Sequence, residues 1–208
     1  LELVWGEEQP SGGLRTLRYH VSKLREALEP DRDQGEEGVI TTRSPGYVLD
    51  VAPARLDALA FETLLAEARE IREEDPAGAV KLLDEALALW RGDAYADFTY
   101  EEFAHSEILS LTELRLRALE ERFELLISQG RDSEVVNDLH RLVDQHPRRE
   151  SLVGSLMLAL YRGGRQAEAL GAYRELSREL GEGLGIEPSQ ELQDLEEKIL
   201  LHDPALKL

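Results

Sequence analysis

Residues 135–142 read VVNDLHRL and residues 169–176 read ALGAYREL. Val135 matches Ala169, Val136 matches Leu170, Leu139 matches Tyr173 and Leu142 matches Leu176, each pair 34 residues apart. Gly130 and Gly164 keep the same offset. Within each stretch the apolar positions lie on one face of an α-helix. A 34-residue period is that of tetratricopeptide helix pairs. A third copy, AVKLLDEA at 79–86, places Ala79, Val80, Leu83 and Ala86 in the same pattern, 56 residues before the second. That distance is one period plus an insertion of 22 residues, which matches the stretch around RGDAYADFTYEEF and an extended helix at 104–129. Such a helix pair cannot bury its apolar face alone and must stack on its neighbour. Stacks of this kind leave a grooved surface suited to protein partners, so the pattern points to an interaction module before an enzyme.

Outward from the repeat, everything from Pro53 on reads as helical. Periodic apolar stretches run near 55–74, 76–90, 104–129, 132–146, 148–162, 165–180 and 188–201. Asp75-Pro76, Arg91-Gly92-Asp93, Gly130, His146-Pro147, Gly163-Gly164 and Glu187-Pro188 separate them, the punctuation of helical hairpins. LVGSLMLALY at 152–161 is too short to span a membrane and reads as a buried helix.

Residues 1–52 are different. LELVWG reads as the last turn of a helix with Gly6 as its stop, and Ser11 as the N-cap of the next. That next helix, LRTLRYHVSKLREAL at 14–28, ends at Glu29-Pro30, and DRDQGEEG follows as a polar loop. VITTR and YVLDV flank Ser44-Pro45-Gly46, and a type II turn with Pro45 and Gly46 at its centre predicts a β-hairpin over 39–51.

The charge distribution singles out the helix. The chain of 208 residues has 43 acidic and 24 basic side chains, a net charge of −19. Residues 1–52 carry net −4 and residues 53–208 net −15, yet 14–25 holds four cations and no acid. Leu14, Leu17, Val21, Leu24 and Leu28 form one apolar stripe. Arg15, Arg18, Ser22 and Arg25 follow the same spacing about 100° round the helix, with Thr16, Tyr19 and Lys23 beyond them and His20 elsewhere on the polar side. Arg15 to Arg25 spans roughly 15 Å, and a major groove about 12 Å wide admits one helix. Arginine can bind guanine bidentately, and Thr, Ser and Tyr reach phosphates or base edges. By itself the wheel also fits a solvated Arg-rich face, and the hairpin a plain β-ribbon. Together, a helix followed by a hairpin with Arg43-Ser44-Pro45 at its tip is the arrangement of a winged helix.

These residues also carry a family resemblance. WGEEQPSGGLRTLRYHVSKLREALEP, followed by VITTRSPGYVLDV, resembles the C-terminal half of an OmpR-type winged-helix domain. EALALWRGDAYAD, VDQHPRRESLVGSLMLALYRGGRQAEALGAYRELSREL and GLGIEPSQELQDLEEKIL resemble a bacterial transcriptional activator domain. Together they are similar to regulators of the Streptomyces antibiotic regulatory protein (SARP/AfsR) class. The resemblance implies sequence-specific binding to promoter DNA, recruitment of RNA polymerase holoenzyme, and side-by-side protomers, a homodimer, on direct repeats. It assigns 14–28 as the recognition helix, with Arg15, Thr16, Arg18, Tyr19, His20, Ser22, Lys23 and Arg25 as DNA contacts and Arg43 as the wing contact. Related domains begin with a small N-terminal sheet and a first helix ahead of the LELVWG helix. The expected fold is therefore mainly α: an incomplete winged helix over 1–52 with a C-terminal β-hairpin, then an all-α tetratricopeptide-like domain over 53–208.

Other chemistries find no constellation. The absence of Cys excludes disulfides, thiolate metal sites and Cys nucleophiles, and fits a reducing compartment; the family resemblance implies a cytoplasmic, nucleoid-associated setting. Lys23, Lys81, Lys198 and Lys207 have no phosphate-loop context. GEGLG at 181–185 follows a helix and reads as its stop rather than a dinucleotide loop. His20, His105, His140, His146 and His202 are scattered, so no metal is expected. Trp5 and Trp90 read as core. The expectation is a transcriptional activator with no cofactor, no membrane association and no enzymatic activity. The alternative is a tetratricopeptide-type scaffold without DNA binding, its basic helix held by an acidic partner.

Overall fold

The computed structural model describes residue 5, residues 10–31 and residues 38–207. The predicted LELVWG helix end, apart from Trp5, and most of the DRDQGEEG loop lie outside the described residues. The chain divides into two compact units. One holds the described residues up to Ala60 together with Tyr95–Ile108; the other holds Phe61–Ala94 and the described residues from Leu109 on.

In the first unit, helix α1 (Gly13–Leu28) starts after Gly12, whose φ of +108° lies in the left-handed region that glycine adopts without penalty. Gly12 therefore occupies the N-cap, and Ser11, the expected cap, sits in the preceding turn. The Gly13 amide closes that turn on the Pro10 carbonyl at 2.9 Å. The helix ends as expected: the Glu29 amide donates to the Arg25 carbonyl, and Pro30 has no amide to continue the ladder. Strands β1 (Ile40–Arg43) and β2 (Gly46–Leu49) pair antiparallel, Ile40 opposite Leu49 and Arg43 opposite Gly46. The loop is thus Ser44-Pro45, with a cis peptide between them. Pro45 occupies the second central position, as in a type VI turn, and not the first position of the expected type II turn.

The second unit is all helix, containing most of α2 (Asp57–Ile71), α3 (Pro76–Ala88), most of α4 (Glu102–Ser128), α5 (Asp132–Gln145), α6 (Glu150–Arg162), α7 (Gln166–Leu184) and α8 (Gln190–Leu200). Its core is built from the predicted apolar faces: Phe61, Leu65, Leu83, Phe123, Leu126, Leu139, Leu152, Leu156, Leu160, Leu176 and Ile199 are almost completely buried. Trp90 is half-buried at the edge of this core, T-stacked on Phe61 at 5.5 Å, with the Arg115 guanidinium 4.7 Å from its ring centre.

The 34-residue repeat is realised in backbone detail. Gly130 ends α4 with φ +74° and Gly164 ends α6 with φ +76°. The Gly130 and Arg131 amides donate to the Ile127 and Leu126 carbonyls, and the Gly164 and Arg165 amides to those of Tyr161 and Leu160. Both are Schellman motifs, which satisfy the last carbonyls of a helix. The following residues repeat as well: Arg131 grips Glu134 and Arg165 grips Glu168 through two hydrogen bonds each, at 2.7–2.8 Å. Asp75 caps α3 by accepting from the Gly78 amide at 2.9 Å, with Pro76 at the first helical position. GEGLG behaves only partly as expected, since α7 continues through Gly181 and Gly183 and stops at Gly185, the one of the three with positive φ.

α4 is locked to the start of α6 by Arg149. Its Nε and Nη2 donate to Glu120 at 2.7 and 2.8 Å, and its Nη1 to Glu113 at 2.9 Å. Ser151 Oγ also donates to Glu120.

Candidate nucleic-acid interface

Along α1 the polar face is displayed as the sequence predicts. Arg15, Thr16, Arg18, Tyr19, His20, Ser22 and Lys23 are all exposed, and so is Arg43 at the end of β1. Arg15, Arg18 and Arg43 have no carboxylate partner among the described residues. Their charge is therefore available to an anion. Lys23 differs, because its Nζ lies 2.6 Å from Glu26 Oε2 and that carboxylate holds the ammonium above its usual range. The rings of Tyr19 and His20 meet edge-on at 5.6 Å.

Arg25 departs from the expected set of outward-facing contacts. It is half-buried, and its fork turns onto the hairpin: Nε donates to the Ile40 carbonyl at 2.8 Å and Nη2 to Thr42 Oγ1 at 3.0 Å. Its guanidinium carbon lies 5.8 Å from the centre of the Tyr47 ring. One turn further on, Glu29 Oε2 accepts from the Val39 amide at 3.0 Å. The two side chains tie the C-terminal half of α1 to the hairpin and set the distance from the helix face to Arg43. Sequence reasoning missed Glu29, Thr42 and Tyr47. Arg25 lies 15 residues from Ile40 and 17 from Thr42, and local periodicity carries no signal at that separation.

The apolar stripe is less covered than its pattern suggests. Val21 is buried and Leu17 half-buried, whereas Leu14, Leu24 and Leu28 are about half exposed. Periodicity marks which side of a helix is apolar but not how much surface stands opposite it. Trp5 is helical and half-buried, with its ring beside Gly13.

The arrangement suits a polyanion held by charge and hydrogen bonds. Among the described residues no group of His, Asp or Glu is placed to hold a metal ion, and no helix is long and apolar enough to cross a membrane.

Two described families match successive stretches of the chain. Residues 1–49 match the family described as "Transcriptional regulatory protein, C terminal", and residues 56–200 match the "Bacterial transcriptional activator domain". The chain is 40% identical over 208 residues to the regulatory protein AfsR of Streptomyces coelicolor, covering 99% of this chain and 20% of that protein. It is 36% identical over 213 residues to the regulatory protein DnrI of Streptomyces peucetius, covering 99% of this chain and 78% of that one. It thus spans about a fifth of AfsR and more than three quarters of DnrI. A solved structure of Mycobacterium tuberculosis EmbR in complex with a low-affinity phosphopeptide superposes with a TM-score of 0.89 at 32% identity, covering 98% of this chain and 54% of that one. These relatives are named as regulators, not enzymes. With a match to the activator domain over most of its length and whole-chain similarity to DnrI, the chain belongs to the SARP/AfsR class of bacterial transcriptional regulators.

Proposed function

We propose that the protein is a sequence-specific DNA-binding transcriptional activator that binds direct repeats in promoters and recruits RNA polymerase holoenzyme. In this reading α1 is the recognition helix. Arg15, Arg18, Tyr19 and Ser22 face the major groove, Thr16, His20 and Lys23 flank it, and Arg43 on the wing reaches the neighbouring backbone. Arg25 acts behind this surface as a positioning residue that fixes the wing against the helix. The residues over 1–52 form the DNA-reading domain, and 53–208 form the activator domain. Protomers sit side by side as a homodimer on the repeats, at the nucleoid of the cytoplasm.

The observation that carries the reading is the exposed set Arg15, Arg18 and Arg43, without carboxylate partners among the described residues, in a chain of net charge −19. An acidic protein is repelled by phosphates except where it presents cations, so any DNA contact should be concentrated on this surface. The acidity of the remainder keeps the helical domain off the DNA and available to protein partners.

Selection from genomic fragments tests this, comparing the protein with its Arg15→Ala/Arg18→Ala/Arg43→Ala variant. Enrichment of a direct-repeat site by the former alone is expected. Affinity for that site should fall with salt at a log–log slope of about −0.9 per phosphate neutralised. No enrichment, or enrichment indifferent to the three substitutions, would favour the scaffold alternative.

A further inference from the structure

A cleft of about 310 Å³ opens between α5 and α7, the two helices that begin the second and third copies of the repeat. That volume is at the lower end of ligand clefts, about 300–1,000 Å³. Val143 and Ala172 are half-buried in its apolar lining, and Leu156 and Leu176 there are almost completely buried. Asp144 of α5 and Glu175 and Glu179 of α7 stand on its rim. Asp144 and Glu179 have no cationic partner among the described residues, and Glu175 has only Arg178 at 3.6 Å. The other rim acid, Glu168, is held by Arg165. His140 completes the rim.

Gly171 is a second and independent sign of an occupant. It lies in the interior of α7, where glycine is a poorer helix former than alanine. Its φ is ordinary and a Cβ placed there would meet nothing within 4 Å, so no contact within the chain demands glycine. It lines the cleft beside Ala172. A missing side chain at such a point lets another backbone approach closely.

We infer that this cleft is a docking site for a cationic, leucine-bearing peptide segment of another protein. Charge complementarity sets the class, since three carboxylates around an apolar floor match Lys or Arg flanking an apolar side chain. Spacing favours an extended segment. Glu175 and Glu179 are one helical turn apart, about 6 Å along α7. Alternate side chains of an extended peptide are about 6.8 Å apart. Cations at two alternate positions then meet the two glutamates, while the intervening apolar side chains, on the opposite face of the extended chain, lie across the cleft toward Val143 of α5. The site is separate from the proposed DNA-reading surface, and its test contains no DNA.

The test is titration of the protein with a fluorescein-labelled peptide of sequence RLRLRLR, read by anisotropy, with QLQLQLQ as the uncharged comparison. Binding of the arginine peptide alone is expected. Asp144→Asn/Glu175→Gln/Glu179→Gln should weaken it about tenfold, the sum expected of three partly exposed ion pairs. Glu74→Gln/Glu101→Gln/Glu107→Gln removes the same charge from exposed positions outside the cleft and should weaken it by less than about twofold, because distant charges are screened. Gly171→Leu, which replaces glycine with a better helix former, should abolish binding while leaving the circular dichroism and Tm at least at the parent level. No binding by the arginine peptide, equal loss in both charge variants, or full binding by Gly171→Leu would each overturn the proposal. Self-association of the protein that disappears in the cleft variant would also overturn it, placing a second copy in the cleft.

Discussion

Arg25 allows a sharp separation of two roles that a cationic residue on a recognition helix can play. Its guanidinium makes hydrogen bonds of 2.8 and 3.0 Å to the hairpin and lies 5.8 Å from the Tyr47 ring centre. Hydrogen bonds from a charged group contribute about 1.5–3 kcal/mol each when buried, and an exposed cation–π contact about 0.5 kcal/mol. Arg25 is only half-buried and its Thr42 bond is exposed, so a total of about 1.5–2 kcal/mol is the reasonable expectation after discounting for solvent. Arg25→Met should release the hairpin by that amount and weaken specific DNA binding about tenfold. Arg25→Lys keeps the charge but offers a point donor in place of a rigid fork, and should lose nearly as much. Neither variant should change the slope of log K against log salt, because no phosphate contact is removed. Anisotropy titrations of the selected site at several salt concentrations measure both quantities, and amide exchange in β1 and β2 reports hairpin docking without DNA. Suppose instead that Arg25→Lys binds like the parent, Arg25→Met lowers the slope by about 0.9, and hairpin exchange is unaltered. Arg25 would then be a phosphate contact, and the positioning role would be refuted.

Three further predictions concern the helical domain. Gly130→Ala and Gly164→Ala force a Cβ into left-handed backbone at φ +74° and +76° and should each cost about 1 kcal/mol, whereas Gly171→Ala, in ordinary helix with open space around it, should be neutral or stabilising; thermal denaturation of the three variants side by side checks the contrast. Asp75→Ala removes the acceptor for the Gly78 amide and should lower stability by about 1 kcal/mol, seen as a lower urea midpoint with an unchanged slope. Glu113 is held below the usual carboxylate range, first by its hydrogen bond from Arg149 and then by Arg117. A carboxyl with a depressed folded pKa contributes stability that is complete above its unfolded value, about 4.3, and is lost as pH falls through the folded value. The urea midpoint of Glu113→Gln should therefore lie below the parent's at pH 7, and the gap should close on acidification below about pH 4.3.

Most of the helical domain was readable from the chain alone, because its determinants are local. A 34-residue offset in both apolar positions and glycines implies the same hairpin made twice, and the two Schellman motifs and the two Arg–Glu grips show that it is. Asp75-Pro76 and Glu29-Pro30 marked a helix start and stop for reasons confined to a few atoms. The cationic face of α1 was equally legible, since 3.6-residue periodicity decides which side chains share a side.

Tertiary structure decided whatever depends on atoms distant in sequence or on a choice among turns of similar energy. Ser11 was the expected cap, and the left-handed φ of Gly12 puts the start of α1 one residue later. The hairpin register put Pro45 where a type II turn has no place for it. Gly181, Gly183 and Gly185 looked alike, but only Gly185 leaves the helix. Leu14, Leu24 and Leu28 belonged to a stripe that nothing local could show to be half exposed. Arg25 carries the same charge and lies on the same ridge as Arg15 and Arg18, and only the hairpin that folds against it turns its fork inward. Periodicity assigns a side chain to a face; the opposing surface determines what that face does.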